Sequence, residues 1–126
     1  LKLAYDPSII IYHKRRPSLK SFFKQFFLYG EARIKIEGIN KSRLKLLFLM
    51  PALFLIYLVI SPILIYISNI FLLPLIAYLL ISLVSSIYES IRNRYIIAIP
   101  ILPFFYLIMH ISYGLGIISA LFKRYR

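Results

Sequence analysis

Residues 46–88, LLFLMPALFLIYLVISPILIYISNIFLLPLIAYLLISLVSSIY, contain no Asp, Glu, Lys or Arg. One bilayer crossing takes roughly 20 apolar residues, and this run is about twice that length, so it must reverse direction inside itself. Ser68-Asn69, near its midpoint, is the most turn-like pair it offers. Two spans are therefore expected, at about 46–67 and 70–88, and a third apolar segment runs over 95–122. A chain of 126 residues is too short to cover three such segments with protein. With 61% hydrophobic and 17% aromatic residues, the composition lies far outside the soluble range. The expected class is a mainly α membrane protein.

The charges sit elsewhere. Eleven of the Lys and Arg residues fall within 1–45, against Asp6, Glu31 and Glu37. A basic block next to a membrane entry reads as cytoplasmic and is attracted to anionic head groups, which makes a lipid bilayer the first expected partner. Nucleic acid is the other common partner of such a patch, but these charges adjoin a span, so none is expected. The absence of cysteine excludes disulfides, thiolate chemistry and Cys-type zinc sites.

Ahead of the spans, LKLAY and SIIIYH read as two β-strands joined at Asp6-Pro7, a turn dipeptide. A lone hairpin is marginal and needs a sheet to join. The chain also opens on Leu1, so it is expected to be the C-terminal part of something longer. Pro17 ends the strand region, and Ser18 is a suitable N-cap for a helix to about Ile36. Leu19, Phe22, Phe23, Phe26 and Phe27 form an aromatic stripe on it, with Lys20, Lys24, Glu31 and Lys35 largely elsewhere. That pattern describes an amphipathic helix in the membrane interface; packing of the Phe face on protein is the plainer alternative, and the two are compatible. Gly30, costly inside a helix, is expected to serve a close approach or a kink.

Three motifs carry a resemblance. They are Y-D-P-x-x-x-x-Y-H-x-x-R (5–16), S-L-x-x-F-x-x-Q-x-x-x-Y-G-x-x-R (18–33) with Met50-Pro51 entering the first span, and H-x-x-Y-G-x-G (110–116). In this order they resemble the C-terminal part of membrane-bound family 2 glycosyltransferases, of the type that builds exopolysaccharides. The resemblance implies a GT-A nucleotide-sugar domain upstream, with a divalent metal (Mg or Mn) on an Asp-x-Asp motif and a carboxylate general base. Neither motif is present here, so this part alone should be inactive. Residues 1–17 would be the edge of that domain, 18–45 a basic interfacial helix and linker, 46–122 the membrane helices and 123–126 a basic tail.

Within the resemblance, Gln25 and Tyr29 are similar to the Q-x-x-R-W motif of processive members, with Leu28 in place of Arg and Tyr29 in place of Trp. The motif implies contact with nucleotide diphosphate and acceptor sugar. An aromatic ring suits a sugar face and an amide suits a hydroxyl. Arg33, one turn beyond Tyr29, suits phosphate. Solvation at the head groups is the ordinary alternative for Gln25 and Arg33. His13 is implied near the metal–diphosphate, with Arg16 complementing phosphate charge; a surface His at a strand end is the ordinary alternative. The whole enzyme would move a sugar from a nucleotide donor to a lipid-linked or polysaccharide acceptor at the cytoplasmic face of the plasma membrane. The competing class is a non-enzymatic membrane subunit that docks to anionic lipid or a partner protein. A transporter fragment ranks last, since the spans lack buried charge.

Two ladders of small residues, Ser82/Ser86/Ser90 and Ser112/Gly116/Ala120, predict that the second and third spans pack through these faces. Three crossings would place Lys123, Arg124 and Arg126 on the side opposite the other basic residues, against the usual bias. Pro100 and Pro103 offer a broken alternative, re-entrant or surface-lying; three crossings are expected.

Overall fold

A computed structural model of the chain describes residues 18–40 and 46–123. Helix occupies 92% of the described residues, and no strand is found among them. The expected β-hairpin of 1–13, with His13 and Arg16, lies outside the described residues, as do linker 41–45 and tail 124–126.

Helix α1 covers Leu19–Asn40. Ser18 caps it as expected, its Oγ accepting from the Ser21 amide at 3.2 Å, the N3 donor that the helix itself cannot satisfy. The helix continues beyond Ile36, through Gly38.

Helix α2, Leu46–Ile67, carries Pro51 and Pro62 internally. Pro62 has no N–H for the Leu58 carbonyl one turn back. Ser61 supplies the missing donor, its hydroxyl reaching Leu58 O at 2.9 Å, so the helix passes its proline with that acceptor satisfied, as a lipid environment demands. The expected break falls at Ser68, whose backbone is extended (φ −158°, ψ 133°) and whose side chain accepts from Ile70 N. A 3-10 turn over Asn69–Leu72 comes next, tied back to α2 by Tyr57 Oη donating to Phe71 O at 2.5 Å.

Helix α3 runs Leu73–Arg92, with Pro74 in its first turn, where a missing N–H leaves nothing unpaired. It ends in a Schellman motif: Tyr95 N bonds Ser90 O at 2.9 Å and Arg94 N bonds Ile91 O at 3.2 Å. This closure needs a left-handed residue at the first position beyond the cap, and Arg94 takes it with φ 54°. Helix α4, Ala98–Phe122, is continuous. Pro100 falls in its first turn and Pro103 lies further inside the helix, so the prolines do not break it into the re-entrant form.

The three helices α2, α3 and α4 are long and apolar enough to cross a membrane. Their side chains confirm the solvent they need: Val59 is 72% exposed, Val84 65% and Ile63 65%. Apolar surface on that scale is not stable against water, and lipid is the environment that accommodates it. This is a membrane protein.

Helix α4 is the hub. Among the described residues, α1, α2 and α3 each pack on it, and not backbone to backbone on one another. Against α3, the serine ladder is buried (Ser82, Ser86 and Ser90), with Ser82 and Ser86 returning their hydroxyls to the carbonyls four residues back at 2.7 Å. Against α2, Gly114 lies under the Pro51 carbonyl and the Leu55 side chain. Against α1, Gly116 and Gly30 meet: a Cβ on Gly116 would strike the Phe27 carbonyl, and one on Gly30 the Tyr113 carbonyl. The ladder of Ser112, Gly116 and Ala120 is buried, yet the backbone nearest Gly116 belongs to α1. At Gly116 this departs from the expectation that both ladders face each other. The physical reason is that a glycine admits whichever backbone arrives, and α1 has a matching notch.

The aromatic stripe of α1 also turns toward protein. Phe22 meets Phe105 edge-on, with centroids 5.3 Å apart, and Phe22, Phe23, Phe26 and Phe27 are all half-buried. Gly30 serves a close approach rather than a kink.

Candidate functional site

On α1, Gln25, Tyr29 and Arg33 follow one another at single-turn intervals and share a face. Gln25 Nε2 donates to Tyr29 Oη at 2.8 Å, which fixes both side chains in one orientation. Tyr29 is 51% exposed, and its ring edge rests on Phe26 with centroids 5.8 Å apart. The Arg33 guanidinium carbon lies 3.4 Å from the centre of the Phe48 ring. That cation–π contact, of about 0.5–2 kcal/mol, joins α1 to the start of α2 across the undescribed linker.

Phe26 and Phe48 then form two walls of a pocket of about 270 Å³, completed by Pro51, Met109, His110 and Tyr113. The pocket lies where α1, α2 and α4 converge. Its lining is almost wholly aromatic or aliphatic, so it is suited to a hydrocarbon chain or a ring face rather than to a free charged group. The polar member is His110. Its Nδ1 lies 2.7 Å from Tyr106 O and 3.2 Å from Tyr78 Oη. A carbonyl oxygen only accepts, so Nδ1 carries the proton in this pairing and Nε2 is left as an acceptor. Tyr78 also stacks on Phe54 at 4.5 Å, so His110 is braced from α2 and α3 together.

Two acids, Glu31 and Glu89, are engaged structurally. Glu31 is 8% exposed; it accepts from Lys123 Nζ at 2.5 Å and from Ser119 Oγ at 3.0 Å. The Lys123 ammonium holds the Glu31 carboxyl below its usual range, against an opposing push from burial. Glu89 accepts from Asn93 Nδ2 at 3.2 Å. Among the described residues no three His, Cys, Asp or Glu come together as metal ligands.

Gln25, Tyr29 and Arg33 are thus brought together, and Ser82, Ser86 and Ser90 of α3 are buried as a row. His13 and Arg16 lie outside the described residues. Sequence reasoning missed the pocket behind Tyr29, with Phe48, Met109 and the Tyr78–His110 contact. A signal for part of it existed, since a histidine within an apolar span marks a functional candidate by default. No family model, curated protein or solved structure matches this chain.

Proposed function

We propose that this chain is the membrane-anchoring C-terminal part of a family 2 glycosyltransferase, acting at the cytoplasmic face of the plasma membrane with its N-terminal block inside. One observation carries the reading: a hydrogen-bonded Gln25–Tyr29 pair and Arg33 stand on one helical face, beside an apolar pocket at the junction of three helices. A lipid-linked acceptor has the matching chemistry. Its hydrocarbon enters the pocket between Phe26 and Phe48, its phosphate meets the donor edge of Arg33, and its sugar stacks on Tyr29 while Gln25 bonds a hydroxyl. The residues of this chain therefore bind and orient, holding the acceptor where a catalytic domain on the same leaflet can reach it. The divalent metal and general base belong to that upstream domain.

A second reading, a non-enzymatic membrane subunit, is favoured by a specific observation: the Glu31 carboxylate is taken up by Lys123 and Ser119. The gene distinguishes the two. Under the enzyme reading, the frame preceding the codon for Leu1 encodes Asp-x-Asp and a carboxylate-bearing helix. Membranes carrying the whole product then transfer labelled sugar from a nucleotide donor into lipid-extractable material, and Tyr29→Ala or Gln25→Ala raises the acceptor KM more than it lowers kcat. A start codon at that position, with no transfer activity, would overturn the reading.

A further inference from the structure

The corner between α3 and α4 holds a second cavity, of about 400 Å³, lined by Glu89, Ser90, Asn93, Tyr95, Ala98, Leu102 and Tyr106. Its volume falls within the roughly 300–1,000 Å³ of small-ligand sites. Because it lies where one candidate span ends at Arg92 and the next begins at Ala98, its level is that of the membrane–water boundary. Tyr95, 58% exposed, is the residue type that gathers there.

Two features set this cavity apart from an accidental gap. Ser90 is only 1% exposed, and its hydroxyl has no hydrogen-bond partner. Ser82 and Ser86, two turns and one turn earlier, both return their hydroxyls to the helix backbone, so Ser90 departs from the pattern at the position that lines the cavity. Charge is also divided between the cavity and the turn beside it. Glu89 lines it with a carboxylate that Asn93 orients at 3.2 Å, while Arg92 and Arg94, both exposed, flank Asn93 on the turn.

We propose that this cavity binds the head group of an amine-bearing phospholipid of the phosphatidylethanolamine class. The ammonium sits on Glu89 and donates to Ser90 Oγ, the phosphate is met by Arg92 and Arg94, and the acyl chains run down the apolar flank of α3 and α4. The division of charge selects this chemistry. A neutral sugar would leave both arginines without a counter-charge, a trimethylammonium head has no N–H to give Glu89 or Ser90, and an anionic glycerol head brings no positive charge to the carboxylate.

The test uses the purified full chain in detergent, titrated with phosphatidylethanolamine and phosphatidylcholine of identical acyl chains, and bound lipid is counted by native mass spectrometry. A preference of about tenfold for phosphatidylethanolamine is expected from one charge-assisted contact. Glu89→Gln should bring the two lipids to within about twofold, whereas Arg92→Gln/Arg94→Gln should weaken both alike. Ser90→Ala, which needs no repacking, should lower phosphatidylethanolamine retention alone, with helix content by circular dichroism unchanged. Soluble phosphoethanolamine in large excess should fail to displace the lipid; displacement would show a site for the free head group and overturn the lipid assignment. Equal binding of both lipids by the unmodified chain, or a preference that survives Glu89→Gln, would also overturn it.

Discussion

Replacing Gly116 by Ala should drive α1 and α4 apart. The new Cβ would lie 2.9 Å from Phe27 C and 3.1 Å from Glu31 N, where ordinary contacts begin at 3.4 Å, and the Phe27 carbonyl oxygen is nearer still. All three atoms are backbone, so no side chain can rotate away, and α1 must retreat by roughly 1 Å. A gap of that size forfeits about a quarter to a half of each dispersion contact it opens, including those around Phe22 and Phe105. Overpacking of this kind costs about 1–3 kcal/mol, offset by the ~1 kcal/mol that Ala gains over Gly in a helix. The net loss is about 0–2 kcal/mol. Gly30→Ala meets Tyr113 O and Ile117 N and has the same remedy. Because one displacement relieves both clashes, the double variant should cost little more than either single one, a coupling of about 1 kcal/mol. The assay is reversible unfolding in mixed micelles, paired with disulfide formation in a Phe22→Cys/Phe105→Cys background, which is clean because the chain has no cysteine of its own. A stability rise of about 1 kcal/mol with undiminished cross-linking, or strictly additive costs, would refute the reasoning.

The same geometry sets three other outcomes. Glu31 is held below its ordinary value of 4.5 by Lys123, so the folded state binds fewer protons than the unfolded one. Its contribution is full above the ordinary value and is lost as pH falls through the lower, folded value; Lys123→Gln should flatten that part of an acid-unfolding profile. Arg94→Gly should raise stability by about 1 kcal/mol, because glycine occupies the left-handed position without a Cβ penalty, seen as a higher thermal midpoint in detergent micelles. Ser61→Ala should cost about 1–3 kcal/mol by orphaning the Leu58 carbonyl beside Pro62, and Pro62→Ala in the same chain should restore most of the loss.

The helices were legible because charge and punctuation mark them. An uncharged run twice the bilayer length had to turn, and Ser68 was the residue able to leave helical geometry and cap the 3-10 turn beyond it. Pro74 carries a signal for the start of α3 at Leu73, since proline belongs in a first turn. The second span was expected to end at Tyr88, where charge begins, but polar residues do not stop a helix, and α3 continues to Arg92. Arg94 could not be read as a C-terminal signal, since the position normally announces itself with Gly or Asn. Pairing was the least legible layer. Spacing shows that Gly116 permits close approach but not which helix will come, and the partner lies far away in the sequence. At the candidate site, Gln25 and Tyr29 come from the motif resemblance and Arg33 from its one-turn spacing, whereas the pocket behind them depends on how three helices converge, which no local pattern encodes.

The central position of α4 bears on biogenesis. Glu31 and the lysine that neutralises it are 92 residues apart. Translation at about 5–20 residues per second leaves the acid waiting roughly 5–20 s for its counter-ion. During that interval the glycine notch of α1 is unfilled and its phenylalanines have no docking surface. A nascent chain stalled before α4 would therefore present a sticky, half-charged segment to the insertion machinery, and quality-control proteases would find an early target there.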